Sequence, residues 1–147
     1  MSVLESFLFR DELRTWLLAD SVIPTIVGPN GVFSGRPGQT ASRPYIVFNV
    51  ISQTEGMLLA QADGNQDLRV QVDCWADSET IAENLKAAVR NRMHGYRGLW
   101  GARKIQFSVI AAAYDDLARP ADATDDTPYR RTLDFAVATT EPTPVFV

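Results

Sequence analysis

The sequence DLRVQVDCWA at residues 67–76, followed by DSETIAENLKAAVRNRM at residues 77–93, decides the fold class. Apolar and polar residues alternate along the first segment, which predicts a β-strand with one face in a core. The second segment has apolar residues at the period of a helix, and it begins with Asp77 and Ser78, both suitable N-cap residues. The core-facing strand residues are Leu68, Val70, Val72 and Cys74, and the apolar helix stripe is Ile81, Leu85, Ala88, Val89 and Arg92 or Met93. We therefore expect the helix to pack on this face of the strand.

Further strands and one further helix are predicted on either side of this pair. Residues 45–52 are β-branched and aromatic, and residues 104–113 and 128–139 show two-residue alternation, so each predicts a strand. Residues 32–34 are compatible with a short additional strand. Residues 3–19 contain neither Gly nor Pro and predict the N-terminal helix, apolar over most of its circumference.

The alternation also assigns residues to faces of the sheet. One face of the strand at 104–113 is expected to hold Ile105, Phe107, Val109 and Ala111, and one face of the last strand Tyr129, Arg131, Leu133, Phe135 and Val137. Loops are predicted at 20–44, at 61–66 and at 114–127. The expected class is α+β: a mostly antiparallel sheet of about four main strands, with 68–75 and 105–111 among its central members, two helices packed on it, and long loops.

Length and composition predict one domain with a short tail. The 147 residues are 46% hydrophobic and 22% charged, which is ordinary for a globular domain and excludes a mostly disordered chain or a coiled coil. We expect a single domain at 1–140 and an extended arm at 141–147, because Pro142 and Pro144 exclude a helix there. No apolar run has the length of a membrane span and no signal peptide is recognisable, so a soluble, intracellular protein without membrane contact is expected.

Residues with catalytic or metal-binding potential are few. The sequence has one cysteine, Cys74, and one histidine, His94, which excludes an internal disulfide and a cysteine-based zinc site. Cys74 alternates with core residues and is expected to be buried, and His94 is expected to end a helix. Asp73 and Asp77 are predicted to have structural roles instead of forming a catalytic pair. We therefore expect no enzyme activity, no cofactor and no metal.

Charge is segregated along the chain, although the formal net charge is only −4. An acidic cluster comprises Asp115, Asp116, Asp122, Asp125 and Asp126, and a basic cluster comprises Arg90, Arg92, Arg97, Arg103 and Lys104. Opposite patches of this kind can steer association between copies of one chain. Interface positions are expected at Arg97, Trp100, Arg103 and Lys104, and at the apolar tip of the arm, Val145, Phe146 and Val147.

Four segments, taken in order, resemble the tail completion, or tail terminator, proteins of long-tailed bacteriophages and gene transfer agents. They are a helix with Leu13 and Leu17 running into Asp20 and Ile26-Val27-Gly28, then Arg43-Pro44-Tyr45-Ile46-Val47, then RVQVDCWA at 69–76, and then Asp77-Ser78 opening a helix with Ala82, Leu85, Ala88 and Val89. The resemblance covers roughly residues 8–138 and leaves out the arm and the dense acidic loop.

The resemblance implies a small structural subunit of the virion, without catalytic residues. Such a subunit forms a ring, usually hexameric, that caps the tail tube and joins it to the head connector while DNA passes through without specific binding. It implies the tail tube protein and the head–tail connector proteins as partners, and a position at the tail–head junction after assembly in the cytoplasm of a host bacterium. In such a ring, the acidic loop at 115–126 is expected to be mobile and to face the lumen or its rim, because its carboxylates would repel DNA phosphates.

Two other functions remain open at this stage. The chain is also compatible with another phage morphogenesis role, as a head–tail connector or tail tube component. A monomeric ligand-binding or regulatory domain is a further alternative.

Overall fold

The computed structural model describes residues 2–57, 62–101, 103–115 and 128–140, with side chains described from residue 9 onward except at 53–65. These residues form three helices and one mixed sheet of six strands. The elements are α1 (Ser2–Leu18), α2 (Ile23–Val27), β1 (Val32–Ser34), β2 (Tyr45–Met57), β3 (Ala62–Ala76), α3 (Glu79–Met93), β4 (Tyr96–Trp100), β5 (Arg103–Asp115) and β6 (Tyr129–Thr140). None of the described helices is long and apolar enough to cross a membrane.

The strand order across the sheet is β1-β2-β3-β6-β5-β4. The short β1 pairs parallel with β2, and every other neighbouring pair is antiparallel. The expected α+β class is confirmed, but the sheet has six strands instead of about four. The strand β3 is central as expected, beside β6, whereas β5 lies one strand from the edge.

Two short elements were not predicted from the sequence. Helix α2 lies within the segment predicted as a loop, and β4 follows α3 after a turn at Gly95, whose φ is +79°. A five-residue strand that contains Gly98 is too short to show clear alternation. Pairing with β5 therefore defines β4 more than its own sequence does.

The hairpin between β2 and β3 is longer than expected. The polar stretch at 61–66 was predicted to be a loop, but β3 begins at Ala62, so most of that prediction is wrong. Asn65 and Gln66 pair with Thr140 and Thr139 of β6. These backbone hydrogen bonds to a strand far along the chain hold polar residues in an extended conformation that their composition does not favour.

A β-bulge in β5 overturns the predicted faces of that strand. The partners Ile105↔Thr139 and Phe107↔Ala138 leave Gln106 as an extra residue, and the register shifts again after Ile110. Consequently Ile105 lies in the core, as predicted, but Phe107 is exposed on the other face of the sheet. In β6, by contrast, Leu133, Phe135 and Val137 are all buried as expected.

The helices cover one face of the sheet. In α3 the buried residues are Ala82, Leu85, Ala88, Val89 and Met93, and the last four join a single core with Leu68, Val70, Val72, Cys74 and Leu133. Packing of this helix on the predicted face of β3 is therefore confirmed. Ile81, which was predicted to belong to the buried stripe, is instead 39% exposed. Helix α1 contacts both edge strands, β1 and β4, because the sheet curls around it. From residue 9 onward α1 buries one stripe, Phe9, Leu13, Trp16 and Leu17, instead of most of its circumference.

Candidate assembly surfaces

An ion cluster around Arg131 joins α3, β5 and β6. The Arg131 guanidinium is almost completely buried and donates from Nε to Glu83 of α3, while Asp115 of β5 lies 3.3 Å from the same nitrogen. Burial lowers the pKa of Arg131, but the hydrogen bond to Glu83 and the nearby carboxylates outweigh it and raise the pKa above its ordinary value. Lys86 of α3 also pairs with Asp115, at 3.4 Å.

This cluster corrects the expected role of Asp115. The residue was predicted to belong to a mobile acidic loop facing a lumen, but it is the last residue of β5 and holds two cations. The other acidic residues of that loop, Asp116, Asp122, Asp125 and Asp126, lie outside the described residues.

An aromatic cluster holds α1 against β4. The ring of Trp100 lies 5.6 Å from that of Phe9 and 5.3 Å from that of Trp16, and Tyr96 lies 4.6 Å from Trp16. The guanidinium of Arg92 lies over the ring of Trp16, 4.1 Å from the ring centroid. Because Trp100 is fully buried, its predicted role as an interface residue is wrong: it anchors the core.

Arg103 is likewise internal. It is 4% exposed, and its Nε donates to Oε2 of Glu12 at 2.9 Å while its guanidinium stacks near Phe9. The prediction that Arg103 is an exposed interface cation is therefore wrong, because α1 covers it. Arg97 and Lys104 are exposed and stay as candidates. Val145, Phe146 and Val147 lie outside the described residues.

The residues considered for chemistry have structural environments. His94 ends α3, and its Nδ1 accepts a hydrogen bond from the backbone N–H of Ile110 at 3.0 Å. Cys74 is fully buried, and this burial strongly raises the pKa of its thiol. Asp77 pairs with Arg43, away from Asp73. Within the described ranges, no three His, Cys, Asp or Glu side chains lie close enough together to hold a metal ion.

The sheet face opposite the helices, which we call the open face, combines apolar and polar residues. Its apolar members on β4 and β5 are Leu99, Phe107, Val109 and Tyr114, each exposed by a third or more. On β3 and β6 it carries polar residues whose cross-strand pairs are Asp73↔Thr132 and Gln71↔Asp134. No described helix packs on this face, so it is a candidate surface for contact with another protein.

Asp134 is a feature of the open face that the sequence analysis missed. It lies in β6 between the buried residues Leu133 and Phe135. The signal available in the sequence was a carboxylate in the middle of the apolar run LDFAV at 133–137. A carboxylate at the centre of a sheet is rarely buried without a partner.

Comparison with known proteins gives a family match over most of the chain. The model of the family described as tail completion protein gp17 matches residues 11–140. Among solved structures, a chain from the virion of a native gene transfer agent particle superposes with a TM-score of 0.66 at 17% identity, and the match covers 86% of this chain and 90% of that chain. At this identity the superposition shows a shared fold. No curated protein matches the sequence.

Proposed function

Because the chain belongs to the tail completion protein gp17 family, we propose that it forms a ring that caps the tail tube and joins it to the head. The family consists of structural virion proteins, and the resemblance noted in the sequence is thereby confirmed. The family match over residues 11–140 is the observation that carries this proposal. In this role the protein is not an enzyme and acts through its surfaces.

The described surfaces are compatible with a subunit that needs neighbours. The open face leaves large side chains such as Phe107 and Tyr114 in solvent, where a partner surface would bury them. Arg97 and Lys104 are exposed near this apolar patch and can fix the register of a neighbour. The proposed partners are other copies of the chain, six in a ring by analogy with the family, together with the tail tube protein and the connector proteins.

Two of the segments outside the described residues have proposed roles in the same ring. The aspartates at 116–126 would line the lumen or its rim and repel DNA phosphates, so that the genome passes without binding. The arm at 141–147, outside the domain at 1–140, would dock its apolar tip, Val145, Phe146 and Val147, on a neighbouring subunit or ring. One arm would bind weakly because ordering seven residues offsets most of the gain, but several arms would act together.

The decisive experiment removes the protein from a particle-producing strain and examines the products by electron microscopy. We expect full heads and separate tails, with joining restored when the protein is supplied. The purified protein should form closed rings. Long tubes would instead indicate a tail tube component, and normal particles without the protein would contradict the proposal.

Deletion of residues 141–147 tests the arm by itself. We expect rings to form and the yield of joined particles to fall. A normal yield of joined particles with the truncated protein would show that the arm has no role in attachment.

A further inference from the structure

The open face contains a buried carboxylate with an oxygen that receives no hydrogen bond from the described residues. Asp134 lies in the middle of β6, between Gln71 of β3 and Ala112 of β5. It is only 7% exposed, and its Oδ1 accepts no hydrogen bond from any residue that the structure describes. Burying an ionised group without a donor is costly, so a donor from outside the subunit is the natural complement.

Asp73, on the same face, is a carboxylate that does have hydrogen-bond partners within the chain. Asp73 is equally buried, but its Oδ1 accepts a hydrogen bond from Oγ1 of Thr132 at 2.6 Å, and the amide of Gln71 lies 3.3 Å from both carboxylate oxygens. The Gln71 amide therefore serves Asp73, although Gln71 is also the cross-strand partner of Asp134. Asp134 is left as the free acceptor.

Next to Asp134 the residues of β6 on the open face are small. Ala136 lies one step further along β6, between Arg69 of β3 and Val109 of β5, and the following step places Ala138 beside Phe107. Along β6, Ala136 and Ala138 thus lie between larger residues of the two flanking strands. An approaching side chain can therefore lie along β6 with its stem against Val109 and its polar end at Asp134.

The opposite side of the subunit presents a matching donor. Arg90 is exposed near the C-terminal end of α3, and no described residue pairs with its guanidinium. Its neighbours one turn away on the helix, Lys86 and His94, carry no negative charge. Because α3 packs on the covered face of the sheet, donor and acceptor lie on opposite sides of one subunit.

We infer that the open face of one subunit receives the helix side of a second copy, with Asp134 accepting the guanidinium of Arg90 of that copy. The inference rests on the proposed ring and identifies its subunit contact. A donor on one side and an acceptor on the other produce a head-to-tail contact, which repeats around a closed ring. Arg–carboxylate pairs supply the directional hydrogen bonds that fix the orientation of such a contact.

The test is a double-mutant cycle read by sedimentation of the purified full chain. Asp134→Asn and Arg90→Gln should each weaken association at least tenfold, and the double variant should be no weaker than the more severe single variant. The thermal midpoint of dilute, monomeric Asp134→Asn should be unchanged or raised, because an unpaired buried charge has been removed. Asp11→Asn and Arg10→Gln, which alter exposed groups of α1, are the matched controls and should associate like the wild type.

Three results would overturn the inference. The first is that Asp134→Asn associates as strongly as the wild type, whether or not its thermal midpoint is lowered. Asp134 would then have its role within the subunit and not in the contact. The second is strict additivity of the two substitutions. The third is a wild-type chain that stays monomeric at every concentration. The proposed function has a separate readout, because unjoined heads and tails in particles lacking the protein would support it whatever the cycle shows.

Discussion

Arg103 of β5 donates a hydrogen bond from Nε to Oε2 of Glu12 in α1 at 2.9 Å, joining elements 91 residues apart in the sequence. The pair lies largely inside the subunit, because the Arg103 side chain is almost completely covered. Glu12→Leu should therefore lower the free energy of unfolding by about 2 kcal/mol, since a buried cation loses its carboxylate at a partly exposed position. Urea denaturation measures the change.

A paired substitution provides the control for this prediction. Glu12→Leu with Arg103→Met removes both charges and should recover much of the loss, while Asp11→Asn, at an exposed neighbouring position, should change little. Equal stability of the wild type and Glu12→Leu would show that the ion pair contributes nothing.

Gly31 is expected to be intolerant of a side chain. A Cβ at this position would overlap the backbone carbonyl and the Cβ of Val27, and the Gly31 carbonyl also accepts a hydrogen bond from the N–H of Ile46 at 2.8 Å. Gly31→Ala should therefore cost about 2 kcal/mol, as other overpacked sites do. Gly38→Ala is the control, because its Cβ would meet only Phe33 at an ordinary 3.5 Å. Similar urea midpoints for the two variants would contradict the close approach.

Cys74 should make stability depend on alkaline pH. Burial raises the pKa of the folded thiol above that of the unfolded thiol, so the folded state keeps a proton that the unfolded state releases. Stability is consequently full below about pH 8.5 and is lost as the pH rises above it, by about 1.4 kcal/mol per pH unit. Between pH 7 and pH 10 the wild type should lose about 2 kcal/mol more than Cys74→Ala. Parallel pH profiles of the two proteins would refute the assignment.

Val72→Asp tests the face assigned to β3. Val72 is completely buried between Phe48 of β2 and Leu133 of β6, under the helices. An aspartate there would bury a charge without a partner, cost several kcal/mol and prevent folding. Circular dichroism of the purified variant checks this, with Asp67→Asn on the same strand as a folded control. A fully folded Val72→Asp protein would contradict the assignment of Val72 to the core.

The exposed basic residues should modulate self-association through charge. Arg97→Glu with Lys104→Glu reverses two exposed charges and should weaken association modestly, because such pairs contribute about 0–1 kcal/mol each. Added salt should weaken the wild type in the same direction. Arg103 is unsuitable for this experiment, since reversing a buried charge would unfold the subunit. Sedimentation that is indifferent to salt and to both substitutions would exclude an electrostatic contribution.

The sequence by itself determined the unit on which the fold is built. Leu68, Val70, Val72 and Cys74 have a strict two-residue period, and α3 has a clean helical stripe, so each element shows its buried face locally. The α+β class, the burial of Cys74 and the helix-ending position of His94 followed from these patterns, whereas the resemblance to the tail completion family rested on the order of four short segments.

Only the tertiary structure decided which residues are left for partners. Trp100 and Arg103 have the composition of interface residues, but α1, from far along the chain, covers both. The bulge at Gln106 exposes Phe107, and a bulge depends on the register between two strands, which no local period records. Asp134 became visible as a free acceptor only when pairing had assigned the Gln71 amide to Asp73. Periodicity reports local conformation, whereas burial and satisfied hydrogen bonds depend on residues distant in sequence.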